Sequence, residues 1–482
     1  MQTWKKFSIK KLVLMFCLAF LLFLILGATL PFIRPKQVSE HIRESFDCAA
    51  FYGVEGQYGQ DRAAIVEDSS AALLTRFNII EQAKERILFS SYGLNSDRSA
   101  LEVCSALYAA AERGVRVEII ADAMFAGSEM RQGGVYYLLG AHPNVEIKLY
   151  NPINLLEPWN LNGRLHDKYL LIDNRFLLLG GRNTNDLFLG DYVGDRASYD
   201  REIFVYNTAA PQKEASVIQQ VEEYFYTIWH SEGVRSAFAE TPGLKRAEVE
   251  EAEHELMRIY AETKLTKPQL FEAVDYAALT VPTQKISLVH NPLNLAAKEP
   301  WVWYALSELM AQAEQRVLIQ TPYAVLNQDM YTRLTEIAAT VPQAEILLNA
   351  VSVGDNFVAS ADYTLNRPKI VDTGFQIYEF MGARSAHNKA LLIDDDISVI
   401  GSYNLDLRST YIDTETMIVV AGKEFNQLLT EKIAAMQAQA LPVLGDGSYG
   451  ENGDVEAVPL PLFKRILYGI CSILFQPIRY LI

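Results

Sequence analysis

One short pattern of polar residues occurs twice in this chain and constrains the fold more than any other feature. The pattern is H-x-K-x4-D, followed after an apolar run by G-x-x-N, and its offsets are the same in both copies. The copies begin at His166 and His387, 221 positions apart (387 − 166), which indicates duplication of a whole domain. The members are His166, Lys168, Asp173, Gly180 and Asn183, then His387, Lys389, Asp394, Gly401 and Asn404.

The side chains of each copy suit a phosphate group. The histidine and the lysine stand two positions apart beside an apolar run, so on a strand they point into the same space. A glycine lets the backbone approach a ligand closely, and amide or hydroxyl groups add neutral donors. The candidates for binding the phosphate are Asn183, Ser402 and Asn404.

Two such half-sites would serve a single phosphorus atom if the two repeats pack face to face. One histidine would attack phosphorus to form a phosphohistidine, and the other would protonate the leaving alcohol and then deprotonate the acceptor. A carboxylate on the far nitrogen of each ring would orient it, and the candidates are Glu202 and Glu415, each in an apolar strand. The lysines and amides already offset the phosphate charge, so this interpretation needs no metal and no cofactor.

The candidate catalytic set therefore has six members. Two of them, Asp173 and Asp394, fall on apolar hairpins. We interpret them as bonding either the local backbone or a nearby basic group. The full set is His166, Lys168, Asp173, His387, Lys389 and Asp394.

The order of apolar segments predicts an α/β protein built twice. Predicted strands alternate with helical segments such as Ala100–Arg113, which indicates two mixed or mostly parallel sheets flanked by helices. The predicted strands include Arg86–Ser91, Val145–Tyr150, Arg316–Gln320 and Gln376–Phe380. We predict one repeat over residues 62–230 and a second over 283–440. A helical connector over 231–282, with a solvated charged helix, would join them, and a Gly-rich linker over 441–459 would follow.

Both ends of the chain are predicted to contact a membrane. Residues 12–33 are apolar and long enough to span a bilayer, so 1–35 is predicted to be an anchor, with a cleaved signal peptide as the alternative. Lysines precede this segment, which places the catalytic part on the extracytoplasmic face of the cell membrane. Residues 460–482 are predicted to form a helix lying on the membrane; a helix docked on the protein is the alternative.

Composition narrows the classes of partner. Half of the 482 residues are hydrophobic, as in a globular chain, and the formal net charge is −16. Proteins that bind nucleic acid normally present a basic face. The acidic net charge therefore argues against a nuclease, and no nucleic-acid partner is expected. The four cysteines lack metal-ligand spacing, and whether Cys48 and Cys104 form a disulfide is left open.

The two motifs resemble those of the phospholipase D superfamily, and the similarity covers roughly residues 62–440. Within it, Gly180–Phe188 (GGRNTNDLF) and Gly401–Ser409 (GSYNLDLRS) are most similar to bacterial cardiolipin synthases. The resemblance implies a duplicated fold with one shared active site. It also implies transfer of a phosphatidyl group from phosphatidylglycerol to a second lipid alcohol, with His166 as the nucleophile and His387 as acid and base.

Two features leave the subgroup open, and the acceptor is open as well. A single N-terminal anchor departs from synthases with two membrane helices, and Asp413 stands where the synthase pattern usually has Asn. A phospholipase D that passes the phosphatidyl group to water, or a phosphodiesterase of nucleic acid, would use the same residues.

Tyr92 and Tyr323 follow the first strand of each repeat and are expected either to line the substrate entrance or to pack the loops.

Overall fold

Two large mixed sheets, each flanked by helices, form the two lobes of the protein. The structure, a computed structural model, describes residues 9–482. The first sheet has the strand order β8-β4-β3-β2-β5-β6-β7-β1-β9, and the second has the order β10-β16-β15-β14-β11-β12-β13-β17. The two lobes confirm the predicted duplicated α/β fold.

The first lobe contains nine strands and most of the helices of the N-terminal half. Its strands are β1 (Asp61–Val66), β2 (Arg86–Ser91), β3 (Arg116–Asp122), β4 (Val145–Tyr150), β5 (Tyr169–Ile172), β6 (Phe176–Gly180), β7 (Glu202–Asn207), β8 (Val234–Ala237) and β9 (Val281–Pro282). The helices up to its end are α1 (Ile9–Thr29), α2 (Glu40–Ser45), α3 (Ser69–Glu81), α4 (Arg98–Glu112), α5 (Phe125–Met130), α6 (Val135–Ala141), α7 (Val217–Trp229) and α8 (Arg246–Thr266).

The second lobe repeats this order with eight strands. They are β10 (Lys285–His290), β11 (Arg316–Gln320), β12 (Gln343–Asn349), β13 (Gln376–Phe380), β14 (Ala390–Ile393), β15 (Ile397–Gly401), β16 (Thr416–Ala421) and β17 (Ala440–Pro442). The remaining helices are α9 (Trp301–Met310), α10 (Gln328–Ala338), α11 (Phe357–Val371), α12 (Leu407–Tyr411), α13 (Lys423–Gln437) and α14 (Leu462–Leu474).

The sheets are mixed because each contains a tight hairpin. Strands β2, β3 and β4 run parallel, as do β11, β12 and β13, while the other neighbours are antiparallel. The hairpins β5–β6 and β14–β15 are wholly buried apolar runs that turn at Asp173 and Asp394, whose φ angles are 51° and 48°. The parallel part is thus limited to three strands in each sheet.

A shared apolar core joins the two lobes. Helix α7 of the first lobe and helix α13 of the second pack into one cluster of buried residues that includes side chains from both sheets. Two isolated β-bridges also cross between the lobes, Leu165 with Thr414 and Tyr199 with Ala386. Because the core is continuous, the residues next to these bridges are held in a fixed relation.

The segment between the repeats packs on the first lobe, contrary to the prediction of a solvated helix. Leu256 and Ile259 of α8 are fully buried, and α8 packs against α4 and α6. The flanking strands β8 and β9 pair with β4 and β1. The charged residues of α8 therefore cover only its outer side, and the apolar positions among them determine its packing.

Both ends of the chain carry apolar helices. In the described part of the chain, Ile9–Phe32 is the helical segment long and apolar enough to cross a membrane, and none of α1 is buried. Helix α14 packs against α11 through Tyr468 and Ser472, yet it leaves most of its large apolar side chains exposed. The four cysteines are free, so Cys48 and Cys104 do not pair.

Candidate active site

The histidines and lysines of both motifs lie just before the first strand of each hairpin. His166 and Lys168 precede β5, and His387 and Lys389 precede β14. The lobe-crossing bridges fall beside the histidines, at Leu165 and Ala386. Each histidine is also bonded to the other lobe through its backbone: His166 N donates to Thr414 Oγ1, and His387 N donates to Tyr199 O.

Each imidazole is paired with a buried carboxylate from the opposite lobe. His166 Nδ1 lies 2.8 Å from Glu415 Oε1, and His387 Nδ1 lies 2.7 Å from Asp200 Oδ2. Both carboxylates are fully buried, so these bonds are shielded from water. A carboxylate on Nδ1 orients the ring and leaves Nε2 available for chemistry.

The prediction that Glu202 orients a histidine is wrong. Its carboxylate accepts from Arg76, Nη1 to Oε2 being 2.8 Å, and also lies 3.5 Å from Arg182 Nε. Asp200 takes the predicted role instead. Glu415, the other predicted orienting residue, does bond a histidine, but that histidine belongs to the first motif.

The strand register explains why Asp200 and Glu415 are equivalent. Gly180 pairs with Glu202 in the first lobe, whereas the matching Gly401 pairs with Met417 in the second. Counting back two residues from each partner reaches Asp200 and Glu415. Aligning the apolar runs IFV (203–205) and IVV (418–420), rather than the nearest acids, is the sequence signal that would have found Asp200.

The two lysines are buried beside their own histidines. Lys168 Nζ donates to the backbone oxygen of His166, and Lys389 Nζ lies 2.9 Å from Nε2 of His387. Burial lowers the pKa of Lys168 to about 7 and that of Lys389 to about 8, so an arriving anion would favour their charged forms. Lys168 Nζ also lies 4.8 Å from the centre of the Tyr92 ring.

The two pairs differ in electrostatics. Burial raises the pKa of Glu415 to about 8. Burial would raise the pKa of Asp200 as well, but the charges of His387 and Lys389 outweigh it and hold that pKa below its ordinary value. Burial, followed by the charge of Lys168, lowers the pKa of His166 well below its ordinary value. The His166 pair is thus biased towards neutrality, and Asp200 towards the charged form.

The three predicted phosphate-binding residues separate into two kinds. The side-chain oxygens of Asn183 and Asn404 are buried and lack a hydrogen-bond partner among residues 9–482. These oxygens are acceptors, so only the N–H₂ group of each amide could donate to a phosphate. Ser402 is not free, because its hydroxyl donates to Glu415 Oε2 and accepts from Thr416 N at 3.0 Å. Ser402 therefore positions Glu415 rather than presenting a donor to phosphate.

Gly181 occupies the position equivalent to Ser402 in the first motif. A Cβ atom at Gly181 would stand 2.5 Å from Asp200 Oδ1, so a side chain there would displace the carboxylate. The first lobe combines Gly181 with Asp200, and the second combines Ser402 with Glu415. Each combination places its carboxylate in the equivalent position beside a histidine.

The aspartates that end each motif are structural, which corrects their place in the catalytic set. Asp173 accepts from the backbone N–H groups of Lys84, Glu85 and Arg86. Asp394 does the same for Glu314, Gln315 and Arg316. Asp173 thus ties its hairpin turn to the start of β2, and Asp394 ties its own to the start of β11, at the opposite end from the histidines. This agrees with the interpretation that the two aspartates hold local backbone.

A cleft of about 390 Å³ opens beside His166. Tyr92 and Tyr323 both line it, as expected for the substrate entrance, and the Tyr92 ring meets the His166 ring edge-on with centroids 4.9 Å apart. Asn404 also lines the cleft. One wall carries Arg408 and Asp413, joined by a hydrogen bond of 2.9 Å between Nη2 and Oδ1.

Comparison with protein families gives one match, repeated in both lobes. The family described as "Cardiolipin synthase, PLD-like domain" matches residues 77–229 and 306–437, which together make up more than half of the chain. Each matched segment contains one complete motif.

Similar proteins and structures agree with this match. Cardiolipin synthase C of Escherichia coli (strain K12) is 25% identical over 465 residues, covering 86% of this chain and 95% of that protein. Cardiolipin synthase 1 of Bacillus anthracis is 23% identical over 354 residues, covering 72% and 60%. The crystal structure of phosphatidylserine synthase from Haemophilus influenzae Rd KW20 superposes with a TM-score of 0.61 at 15% identity, covering 89% of this chain and 97% of that one, which supports the fold.

Proposed function

The chain belongs to the cardiolipin synthase family of phospholipase D-like domains, and from this premise we propose that it is a membrane-bound phosphatidyltransferase. It would move a phosphatidyl group from phosphatidylglycerol to a second phospholipid alcohol through a phosphohistidine. The observation that carries this proposal is the crossed pairing of His166 with Glu415 and of His387 with Asp200. Two oriented imidazoles provide the nucleophile and the acid–base group that a two-step transfer requires.

We assign the nucleophile to His166 and the acid–base role to His387, as the resemblance to the phospholipase D superfamily implies. Burial lowers the pKa of both imidazoles, so both favour the neutral form before a lipid binds. His387 faces Asp200, which stays negatively charged and would stabilise the imidazolium needed in a general acid. Lys168 and Lys389, together with the amides of Asn183 and Asn404, would bind the non-bridging oxygens.

The reaction would proceed in two displacements at phosphorus. In the first, Nε2 of His166 forms a bond to phosphorus while the bond to the glycerol oxygen breaks, and that oxygen takes a proton from His387. In the second, a hydroxyl of another phosphatidylglycerol gives its proton to His387 and attacks phosphorus, which breaks the N–P bond. The products are one cardiolipin and one glycerol, and both histidines return to their starting states.

The proposal places the enzyme at the cell membrane. Helix α1 would act as a single-pass anchor, and the lysines before its apolar run, which starts at Leu12, favour a catalytic part on the extracytoplasmic face. The phosphatidylglycerol substrate would then lie in the same membrane. The acidic net charge of −16 supports a lipid rather than a nucleic acid as substrate.

The lipid product tests this function. Purified full-length protein in vesicles containing phosphatidylglycerol should form cardiolipin and glycerol in equal amounts. The variant His387→Ala should lose nearly all of this turnover, while His254→Ala, an exposed histidine on α8, should keep it. Phosphatidic acid as the main product would instead establish a hydrolase, a phospholipase D that uses water as the acceptor.

A further inference from the structure

A loop that ends two residues before Leu161, a residue of the cleft lining, exposes large apolar side chains that no described residue covers. We name residues 152–159, from the end of β4 through Trp159, the rim loop. Its exposed fractions are 58% for Ile153, 73% for Leu156 and 41% for Trp159. Leu155 is exposed as well, and Glu157 is the loop's single charged residue. Apolar side chains clustered in this way mark a surface that binds another apolar phase.

The rim loop is in direct contact with α1. Gly27 packs so tightly against Pro158 that a Cβ atom on Gly27 would stand 2.3 Å from Pro158 Cγ. Asn162, just after the loop, donates its side-chain N–H to the backbone oxygen of Ala28. A few residues further, Phe32 is buried in the core of the second lobe. Both lobes therefore hold the end of α1, and its position relative to the loop is fixed.

This contact sets the depth of the rim loop if α1 spans the bilayer. Gly27 lies two residues before the end of α1 at Thr29 and belongs to the apolar segment Ile9–Phe32, so Pro158 touches the last turn of the span. Segments that bind membrane interfaces insert their apolar side chains about 5–10 Å into the boundary between head groups and acyl chains, which is the level at which the last turn of a span lies. Trp159 is a residue type enriched at that level of a membrane.

Exposed apolar side chains also lie at the cleft itself. Met124 and Phe125, at the start of α5, are exposed and line the cleft. Leu481 and Ile482, in the tail that follows α14, line it as well. The outward face of α14 exposes further large apolar side chains, namely Leu462, Phe463, Ile466, Ile470, Ile473 and Leu474.

We propose that the rim loop inserts into the bilayer interface next to α1, so that the cleft opens directly onto the membrane surface. A lipid would then place its phosphate in the cleft while its acyl chains stay in the bilayer. The proposal rests on the membrane anchoring of α1 given above, but it does not depend on which reaction the site catalyses. The partner of the rim loop is then a lipid bilayer, because α1 brings one to this position.

Site-specific fluorescence of the full-length chain in vesicles tests the proposal. The four native cysteines are replaced by alanine, Leu156→Cys is introduced, and the new thiol carries an environment-sensitive fluorophore. The control is Lys84→Cys with the same fluorophore. Lys84 is exposed and precedes β2, at the end of that strand opposite Tyr92 and the cleft. The vesicles contain phosphatidylcholine and phosphatidylglycerol, with or without lipids that carry a nitroxide near the head group.

Insertion predicts opposite behaviour of the two probes. The probe at position 156 should emit at shorter wavelength and be quenched several-fold more by the nitroxide lipid than by aqueous iodide, and the probe at position 84 should show the reverse. Iodide quenching of the 156 probe equal to that at position 84 would overturn the proposal. Shielding of the 156 probe from both quenchers would overturn it too, because a protein surface would then cover the loop. Neither readout requires turnover, so a failure here is distinct from a failure of the proposed reaction.

Discussion

At the scale of single residues, neighbouring acids in one segment have different tasks. Asp200 and Glu202 are two positions apart, yet one bonds the active-site histidine of the other lobe and the other closes a buried ion pair with Arg76. Arg182 contacts both, since it lies 3.5 Å from Glu202 and donates to the backbone oxygen of Asp200. The segment therefore couples the folding of the first lobe to the placement of Asp200.

Substitution of these two acids should separate catalysis from stability. Asp200→Asn removes the charge that orients His387 and stabilises its protonated form, so turnover per folded molecule should fall by about 10²–10⁴-fold. Glu202→Gln leaves the guanidinium of Arg76 buried without a full counter-charge, so the free energy of unfolding should fall by about 3 kcal/mol. Steady-state lipid turnover and thermal unfolding of both purified variants provide the measurements.

The comparison also has an outcome that contradicts the assignment. If Glu202→Gln lost as much turnover per folded molecule as Asp200→Asn, the orienting role would not belong to Asp200 alone. Equal losses of unfolding free energy in the two variants, with similar residual turnover, would likewise remove the distinction. The effects of the two substitutions would not add in the double variant, because the charges of both Glu202 and Asp200 act on the buried Arg182.

Glu415 should give the stability of the protein a specific pH dependence. Its pKa is raised to about 8 in the folded state by burial, whereas the unfolded chain has the ordinary value of about 4.5. The folded state thus binds more protons than the unfolded state between these values, so this group's contribution is fully present below about pH 4.5 and is lost as the pH rises through about 8. The variant Glu415→Gln does not titrate and should lack this loss.

The measurement is the difference in unfolding free energy between the variant and the unchanged protein from pH 5 to pH 8.5. We expect the variant to gain relative stability steadily across this window, by a few kcal/mol, since one pKa unit corresponds to about 1.4 kcal/mol. Ser402→Ala, which removes a hydrogen bond to Glu415 but keeps the carboxyl group, is the control and should retain the slope. A flat difference for Glu415→Gln would show that Glu415 is ionised in the folded protein throughout.

At the scale of elements, local sequence determined most strands and far less of their pairing. The segments Arg86–Ser91, Val145–Tyr150, Arg316–Gln320 and Gln376–Phe380 form strands with the predicted bounds, since each is a short apolar run between polar residues or turns. Helix α11 was not predicted: it contains Asn366 and Pro368 and shows no clear apolar stripe. It is stabilised from outside, where α14 packs on it and Arg479 bonds its buried Asp362 at 2.9 Å.

The candidate site shows the same limit, because local patterns could be found from the sequence and pairing between distant segments could not. The histidines, lysines and asparagines could be found from the sequence because their spacing within each motif is local and repeated. The acids that orient the histidines could not be assigned reliably, because each pairing crosses from one lobe to the other and depends on a strand register. Strand β8 shows the same effect on a smaller scale: only four residues long and partly exposed, it forms because β4 offers it an edge.

At the scale of the whole molecule, each lobe supplies the other with equivalent contacts. The bridge of Leu165 with Thr414 corresponds to the bridge of Ala386 with Tyr199, and the crossed histidine–carboxylate pairs follow the same rule. Because helices α7 and α13 share one core, both half-sites of this active centre come from a single chain. That arrangement differs testably from a site assembled between two copies.

Mixing two inactive variants distinguishes these arrangements. His166→Ala and His387→Ala should each reduce turnover by at least about 10³-fold, because the two histidines act as one unit. When both variants are reconstituted together in the same vesicles, turnover should stay at that low level, since every chain still lacks one histidine of its own site. A control mixture of the unchanged protein with His166→Ala should show activity in proportion to the unchanged protein alone. Recovery of a substantial fraction of full activity in the first mixture would mean that half-sites from different chains meet, and the crossed pairs within one chain would then not be the working active site.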